Sequence, residues 1–355
     1  MKQNLIFFCL GIFTILVCFS THLSAQQASE AKVIEIKLSG EVNTPTTEVS
    51  GMTWYGDNLI ILPQYPEDFN NSVYTLSRKS IGDYITAFKK GGNPKALEPK
   101  PIPFKSQYFG IVDGYEGFES IAIDEETGQL WLTIEVEPEG CPIYSFVVSG
   151  QIEKDLSAIN VDNINHQQPK LQRVPGQSGM PNMAEEALIH LPDQERLIVI
   201  HEANGIENTD QLFANVFNES INLTHMSVFP VIPYRITDAT SIDANGRFWV
   251  INTFYTGEVF LKVKKDNVLE HYQVNKGETH AKVEFVERLI ELQYLHGHIT
   301  FTDSKPIQLE LDMQKKKVHN WEGIVRFDEK TFLVISDEYP YTKLAFVEIP
   351  GKGKK

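Results

Sequence analysis

Residues 320–338 read NWEGIVRFDEKTFLVISDE: a polar start, a short apolar run, a tight turn and a second apolar run. Both runs are rich in Ile, Val, Leu and Phe, and each is too short for an amphipathic helix. The polar residues between the runs favour chain reversal. The segment therefore predicts an antiparallel β-hairpin.

The same pattern occurs four more times earlier in the chain. The units, in chain order, are EVSGMTWYGDNLIIL at 48–62, GFESIAIDEETGQLWLTIE at 117–135, MAEEALIHLPDQERLIVIHE at 183–202 and TDATSIDANGRFWVINTF at 237–254. A third candidate strand follows each of the five hairpins, at 72–76, 142–148, 211–217, 258–263 and 343–349. Four-stranded antiparallel sheets that repeat along a chain are the signature of a β-propeller. The sequence therefore predicts an all-β fold of the propeller class.

The spacing of the units sets the number of blades. The interval between Thr240 and Glu322 is the longest, and within it residues 289–312 again read as strands joined by turns. We therefore expect six blades, one of them degenerate, with five blades as the alternative. Either ring forms a single domain over 26–350, followed by a solvated tail at 351–355. The last strand is expected to pair with the residues after Lys32, because closure removes exposed strand edges.

The first 25 residues have the layout of a secretory signal. Lys2 supplies a positive charge, residues 5–19 are almost uninterruptedly apolar, and cleavage is predicted after Ala25. The apolar run is shorter than the roughly 20 residues that a spanning helix needs, and retention as an N-terminal anchor is the alternative. Cleavage leaves one of the three cysteines, Cys141, which we expect to be a core thiol. The prediction is a periplasmic or secreted protein without an internal disulfide.

Composition narrows the range of partners. The chain of 355 residues contains 47 Asp and Glu against 32 Lys and Arg, a formal net charge of −15. This balance disfavours a nucleic-acid binder that relies on a basic face. No later segment is long and apolar enough to span a bilayer. We expect a monomer that binds a small-molecule or envelope ligand, with no nucleic acid and no stable membrane span after cleavage.

One polar residue at the start of each unit is expected to face the propeller axis. These residues are Ser50, Glu119, Glu186, Thr240 and Glu322. Carboxylates that converge without a cation repel one another and raise one another's pKa values. A hard cation such as calcium, which takes six to eight oxygen ligands, would relieve the repulsion. The alternative is that these side chains cap the strands across a water-filled channel.

A second set of polar residues closes the second strand of each unit. Because that strand returns antiparallel, its end lies on the same face as the start of the first strand. The residues are Gln64, Glu135, His201, Glu202, Asn252, Asp337 and Glu338. Glu202, Asp337 and His201 are the candidates for a general base or for positioning water. Gln64, Glu135 and Asn252 are expected to line the rim, and Arg235 is a candidate contact for an anionic group.

The units around Glu119 and Glu322 resemble the exported esterase-like phytase propellers of bacteria. More distantly, the set of Ser50, Glu119, Glu186, Thr240 and Glu322 is similar to the calcium ring of the calcium-activated nucleotidase (apyrase) propellers. That family has a further glutamate just after the first serine, where this chain has Gly51. The resemblances imply a central calcium and hydrolysis of a phosphoester.

Two functions follow as hypotheses. The first is an exported, calcium-binding propeller that hydrolyses a phosphoester or related ester at the channel mouth. The second is a non-catalytic propeller that binds a glycan, a peptide or an envelope partner and contains a structural calcium. An enzyme requires an open cavity at the mouth, whereas a structural plug would have its ligands filled and its mouth covered. The acidic net charge of −15 disfavours a polyanionic substrate.

Overall fold

The computed structural model describes residues 26–27, 30–44, 46–161, 171–175, 183–203, 212–313, 319–337 and 341–350. The predicted signal and its cleavage site after Ala25, together with Glu338 and the tail at 351–355, lie outside the described residues. Three short strands open the described chain: β1 (Gln26–Gln27), β2 (Glu30–Ala31) and β3 (Val33–Ile36). The rest folds into antiparallel sheets, which confirms the predicted β-propeller.

The first two sheets form from the units at 48–62 and 117–135. The first contains β4 (Val49–Tyr55), β5 (Asn58–Pro63), β6 (Ser72–Ser77), helix α1 (Arg78–Lys89) and β7 (Lys100–Lys105). After helix α2 (Tyr108–Ile111), the second contains β8 (Tyr115–Ile123), β9 (Gln129–Val136), β10 (Tyr144–Ile152), β11 (Ile159–Asn160) and β12 (Leu171–Arg173). Strands β7 and β11 pair in parallel and join the two sheets at their outer edges.

The next two sheets are joined in the same way. The third contains β13 (Glu185–Leu191), β14 (Arg196–His201), β15 (Phe213–Asn218) and β16 (Leu223–Val228). The fourth contains β17 (Arg235–Ala239), β18 (Arg247–Phe254), β20 (Val286–Leu295), β21 (His298–Phe301) and β22 (Ile307–Leu309). Between β18 and β20 lie helix α3 (Asn267–His271) and β19 (Val274–Asn275), and β19 pairs in parallel with β1 in a separate two-stranded sheet. Strands β16 and β21 pair in parallel across the outer edges.

The fifth sheet closes the ring. It contains β23 (Trp321–Arg326), β24 (Thr331–Ser336) and β25 (Leu344–Glu348). Strand β25 pairs antiparallel with β3, with Phe346 opposite Ile34, so the fourth strand comes from the start of the described chain. The predicted closure by the residues after Lys32 is therefore confirmed. Short 3₁₀ turns lie at Glu41–Asn43, Pro66–Phe69, Pro192–Gln194, Val259–Leu261 and His280–Lys282.

Within the described residues the propeller has five blades, and the expectation of six is wrong. The inner strands β4, β8, β13, β17 and β23 contact one another in a closed circle that leaves no place for a sixth. Residues 289–312, assigned to the degenerate blade, fall in or beside β20, β21 and β22 of the fourth blade. These residues lack the polar residue found at the start of each inner strand, because they form outer strands.

The error has a local cause in the fourth blade. Its third strand is β20, which pairs with β18 only after a long excursion over residues 255–285. The predicted third strand at 258–263 is not a strand, and its centre forms the 3₁₀ turn Val259–Leu261. A long insertion between two paired strands cannot be distinguished from an additional blade by spacing alone.

Apolar layers between neighbouring blades form the core. One layer, which includes Ile60, Leu62, Phe118, Leu132 and Ile134, packs the first blade against the second. Cys141 is exposed, so the expectation of a core thiol is wrong. It follows a turn in which its backbone N–H donates to the carbonyl of Pro138, and it precedes β10. Among the described residues, no helix has the length and apolar character to cross a membrane.

Candidate active site

The inner strands carry their polar residues at β-bulges. The pairing between first and second strands shifts register at Ser50, Glu119, Glu186 and Glu322, in β4, β8, β13 and β23. A bulge places an extra residue in one strand and re-aims its side chain. The four residues that the sequence predicts to share one position are therefore equivalent, and the bulge is what turns each towards the axis.

Thr240 is the exception, and its assignment to the ring is wrong. In the fourth inner strand the register shift lies between Ile236 and Ala239, at Thr237 and Asp238. Thr240 follows the strand, and its hydroxyl accepts the N–H of Trp249 and donates to the carbonyl of Ser241, each at 3.0 Å. The fourth unit has a polar residue at several neighbouring positions, so the sequence pattern does not fix its alignment.

An open cavity of about 430 Å³ lies where the bulges meet the ends of the second strands. Twelve residues line it: Val49, Ser50, Gln64, Glu119, Glu135, Glu186, Arg235, Tyr255, Glu258, Asn320, Glu322 and Asp337. Eight of them are residues that the sequence predicts for the site. The two predicted sets therefore meet in one cavity, as the antiparallel hairpin geometry requires.

Arg235 is the cation of the cavity, and its side chain is 12% exposed. Its Nε donates to Glu202, and its terminal nitrogens lie 3.5 Å from Glu258 and 3.3 Å from Glu322. A further hydrogen bond of 3.2 Å runs to Oδ1 of Asn320. Burial lowers the pKa of Arg235, but the three carboxylates outweigh it and hold the pKa well above its ordinary value. Arg235 is thus committed to internal ion pairs, not to the external anion predicted from sequence.

The other side of the cavity lacks such a partner. Glu119 accepts a 2.9 Å hydrogen bond from Nε2 of Gln64, which also donates to the carbonyl of Glu116. Glu135 and Glu186 are 6% and 7% exposed, and their carboxylates make no hydrogen bond or ion pair with the described residues. Burial, followed by the repulsion of Glu202, raises the pKa of Glu135 to about 8. Burial and neighbouring carboxylates also raise the pKa values of Glu119 and Glu186.

Three predicted residues lie behind the cavity and do not line it. Glu202 is buried against Arg235. His201 is 2% exposed, and its Nδ1 accepts the N–H of Ala203 at 3.0 Å. Asn252 donates to the carbonyls of Pro233 and Arg235 at 2.8 Å and accepts from Nε of Arg288. His201 and Asn252 therefore organise the backbone, and their predicted catalytic and binding roles are not supported by their positions.

Asp337 stands in the cavity as predicted. Its Oδ1 accepts a 2.7 Å hydrogen bond from Nδ2 of Asn320, the same side chain whose Oδ1 accepts from Arg235. Asn320 therefore links the guanidinium to the carboxylate of Asp337. The amide orientation is fixed, because one end must donate and the other must accept.

Sequence reasoning missed Tyr255, Glu258 and Asn320. Tyr255 directly follows the end of β18, and Glu258 caps the 3₁₀ turn after it. The rule that finds Gln64 and Glu202 at second-strand ends would also have found Tyr255. Glu258 was hidden because its segment was assigned to a strand. Asn320 precedes β23, and its left-handed backbone, with φ of 45°, is a feature that only the structure shows.

The residues that line the cavity have the oxygen atoms that a calcium ion prefers as ligands, but they are not arranged to hold one. Carboxylate oxygens are donors that calcium prefers, and Oε2 of Glu322 and of Glu258 are buried without a hydrogen-bond partner in the described residues. However, Arg235 pairs with Glu322, and Thr240 is turned away. No group of three or more His, Cys, Asp or Glu among the described residues is placed to hold a metal. The five predicted ligands do not fit a single calcium ion as they stand.

A larger cavity of about 570 Å³ opens at the opposite end of the channel. Its walls are the apolar far ends of the inner strands, including Met52, Ile121 and Leu188, and its rim carries acids of the hairpin turns. The buried His190 in its wall is paired with Glu219 at 2.7 Å. Because the buried polar group of this mouth is satisfied, the candidate active site is the acidic cavity.

The fold and the cavity define a five-bladed β-propeller with an acidic site at one mouth of its channel. No protein-family model matches the chain, and a search of the curated proteins gives no match. Similar solved structures include the soluble aldose sugar dehydrogenase of Escherichia coli, 10% identical over 90% of this chain and 99% of that chain, with a TM-score of 0.46. A thermostable family-43 glycoside hydrolase is 9% identical over 90% and 97%, also with a TM-score of 0.46. Similarities at this level carry no conclusion about activity.

Proposed function

We propose that the protein is a propeller enzyme that hydrolyses an ester or a related phosphoester in the acidic cavity. The observation that carries the proposal is the open cavity, lined by six carboxylates: Glu119, Glu135, Glu186, Glu258, Glu322 and Asp337. A plugged channel would have its polar groups paired and its mouth covered. Instead, Glu135 and Glu186 have no hydrogen-bond partner among the described residues, and Tyr255 at the cavity is 41% exposed.

Two carboxyl groups supply the proton transfers in this proposal. Glu135, whose pKa burial raises to about 8, is protonated at neutral pH and donates its proton to the leaving oxygen. Asp337, oriented by Asn320, accepts a proton from the attacking water. The hydroxide part of that water bonds to the carbonyl carbon or phosphorus as the ester bond breaks. The products are an acid and an alcohol, and Glu135 and Asp337 then exchange the proton through solvent.

The charge of the cavity favours a carboxylic ester over a highly charged phosphoester. Six carboxyl groups, of which Glu135 is protonated, face one guanidinium that already has three acidic partners. Such a cavity repels a polyanion. The finer prediction of a phytase-like substrate is therefore the less favoured part of the proposal.

Calcium remains a separate proposal, and no catalytic step is assigned to it. The oxygen donors on the Glu119 side could recruit the ion together with water, because they lack a protein cation. Titration calorimetry with calcium chloride on the purified chain tests this point. Calcium binding is supported if it is saturable, is lost in Glu186→Gln and is retained in Glu329→Gln, which replaces an exposed residue. It is rejected if the unmodified protein does not bind calcium.

A hydrolysis screen tests the proposed enzyme. Aryl esters, lactones and aryl phosphoesters are supplied to the purified protein with calcium and with a chelator. We expect ester hydrolysis, with kcat lowered at least about 100-fold in Glu135→Gln and in Asp337→Asn, in line with the loss of acid–base catalysis. Glu329→Gln, which removes an exposed carboxylate in the turn between β23 and β24, should leave kcat unchanged. Full activity in both cavity variants would refute the assigned roles.

A non-catalytic binding propeller is the second candidate. The observation in its favour is the scarcity of nucleophilic side chains. Among the described residues that line the cavity there is one serine, Ser50, and no Thr, His or Cys. Ligand binding without turnover of any ester in the screen would establish this candidate in place of the enzyme.

A further inference from the structure

The acidic cavity is divided into a neutralised side and a side without a cation. Arg235 pairs with Glu202, Glu258 and Glu322 and compensates that side. Glu119, Glu135 and Glu186 form the other side, which we call the open acidic side. No Lys, His or second Arg is among the described residues that line the cavity.

Two of the three side chains of the open acidic side are largely buried, line the cavity and have no hydrogen-bond partner among the described residues. Glu135 and Glu186 are 94% and 93% buried, since their exposed fractions are 6% and 7%, and neither makes a hydrogen bond or ion pair with the described residues. A buried carboxylate without a partner is costly, and native proteins retain such groups mainly where a ligand or a reaction uses them. Glu119 has a single side-chain partner, Gln64, and keeps further acceptor capacity.

The size and spacing of the site favour an organic cation over a bare metal ion. The cavity of about 430 Å³ is in the range of small-molecule pockets. Among the described residues, no three acidic or metal-binding side chains are close enough together to hold a metal. Beside the open acidic side, the planar guanidinium of Arg235 is already accommodated among the carboxylates of Glu202, Glu258 and Glu322.

The mouth of the cavity adds an aromatic surface. Tyr255 lines the cavity and is 41% exposed, and a Cβ added at Gly257 would lie 2.2 Å from its ring. The absence of a side chain at Gly257 therefore allows the ring to lie against the backbone. Aromatic faces attract ammonium and guanidinium groups within about 6 Å of the ring centre. The net charge of −15 also attracts cations towards the protein.

We propose that the open acidic side binds a positively charged nitrogen of a small organic molecule, an alkylammonium or a guanidinium, between Glu119, Glu135 and Glu186. The inference rests on the proposed hydrolase in one respect: it names the substrate class as an ester that carries such a cation. Glu119 and Glu186 supply the two charged partners of the ligand cation, and Glu135, which is protonated at neutral pH, keeps its proton for the leaving oxygen. Binding itself requires no turnover.

Titration calorimetry on the full chain tests the binding claim. The probes are butylammonium, agmatine, the neutral isostere butyramide and calcium chloride alone. We expect dissociation constants for the two amines at least tenfold lower than for butyramide. Glu119→Gln and Glu186→Gln should each weaken amine binding at least tenfold, whereas Glu329→Gln should leave it unchanged. Equal affinity for amine and butyramide, or binding of calcium with no binding of either amine, would overturn the proposal.

A pair of esters separates this inference from the proposed function. The substrates are 4-nitrophenyl butyrate and its 4-trimethylammonio derivative, which share a leaving group and differ in the cation. We expect kcat/KM to be at least tenfold higher for the cationic ester. Amine binding with no hydrolysis of either ester rejects the hydrolase and retains the cation site. Equal hydrolysis of both esters, without amine preference in binding, retains the hydrolase and rejects the cation site. The comparison uses the unmodified protein, so it stands even where a variant fails to fold.

Discussion

Arg235 is the residue on which the charge balance of the cavity depends. Its guanidinium is 88% buried, with 12% exposed, among Glu202, Glu258 and Glu322. The sequence predicts a metal ion at this point, because the repeat pattern indicates converging carboxylates and does not indicate a cationic side chain among them. The structure supplies the cation from the first residue of β17, two residues before the register shift at Thr237 and Asp238. Only the three-dimensional arrangement shows that the charge is internal.

Replacing Arg235 should destabilise the fold strongly. Arg235→Gln leaves three buried carboxylates without their cation, and breaking a buried ion pair costs about 3–5 kcal/mol. Urea unfolding measures the change in the free energy of unfolding. The exposed Arg247→Gln should change it by less than about 0.5 kcal/mol. The double variant Arg235→Gln with Glu202→Gln should recover part of the loss. If the loss of unfolding free energy in the double variant equals the sum of the losses in the two single variants, the ion-pair account is contradicted.

His201 should contribute a pH dependence of stability and not of catalysis. Burial lowers its pKa to about 4 from an ordinary value of 6.5. Above pH 6.5 the ring is neutral in both states, and the stability is fully present. As the pH falls from 6.5 towards 4, the unfolded chain takes up the proton and the folded chain does not, so about 3 kcal/mol is lost. Unfolding titrations from pH 7.5 to 4.5 measure this loss.

The variant His201→Asn isolates the effect of the imidazole. Its side-chain oxygen can accept the N–H of Ala203 as Nδ1 does, but the side chain does not titrate. The difference in unfolding free energy between this variant and the unmodified protein should shrink as the pH falls. A constant difference across that range would show that the imidazole is not buried in its neutral form. The kcat profile of the proposed reaction should be nearly unchanged, since His201 does not line the cavity.

At the scale of the element, a bulge at the polar residue of β4, β8, β13 and β23 is what positions the site, and β8 has a second bulge at Glu116. The period-2 alternation of a strand would send successive side chains to opposite faces, so one polar residue would point into the space between blades. The bulge at Glu119, between Phe118 and Ser120, breaks that alternation and frees the carboxylate to face the axis. Sequence recurrence locates these residues, but it does not reveal the bulge.

Gly117 is the element-scale position most sensitive to substitution. Its φ is 116°, and a Cβ there would lie 2.4 Å from Cγ and 2.9 Å from the carbonyl oxygen of Gln64. Gly117→Ala should therefore displace Gln64, the hydrogen-bond donor to Glu119, and cost roughly 2–4 kcal/mol of folding free energy. Gly56→Ala, at φ of 56° with no atom within 4 Å, should cost about 1 kcal/mol from backbone conformation alone. Urea midpoints compare the two variants, and equal losses would contradict the steric argument.

At the scale of the whole molecule, the ring is closed by two distant parts of the chain. Strand β3 completes the fifth blade beside β25, and Ile36 within it is fully buried. Without this pairing, the edge of β25 and one face of the blade core would be exposed. The closure therefore couples the start of the described chain to the stability of the last blade.

Removal of β3 tests that coupling. A chain lacking residues 1–36 should lose at least about 3 kcal/mol of unfolding free energy, since loss of one buried Ile alone costs 2–5 kcal/mol. A chain lacking residues 1–25 keeps β3 and should unfold at the same urea midpoint as the full chain. Coincident midpoints for the two truncated chains would show that the ring does not depend on β3.

The sequence by itself determined the β-propeller class, the closure of the ring and most of the cavity lining. Repeated hairpins with polar residues in a fixed register carry that information, because hairpin geometry brings first-strand starts and second-strand ends to one face. The number of blades was not determined, because residues 255–285 separate strands that pair in space. Thr240, His201 and Asn252 were misassigned, since polarity in a repeat does not show which way a side chain turns.

Only the tertiary structure decided how the cavity charge is balanced. Electrostatic energy depends on distances between groups that are far apart in the chain, such as Arg235 and Glu322. A repeat pattern records which residues recur, not which of them come within a few ångströms of a lone guanidinium. The sequence therefore predicted converging carboxylates. The fold determined that one side is neutralised by Arg235, and that Glu119, Glu135 and Glu186 on the other side face the cavity without a protein cation.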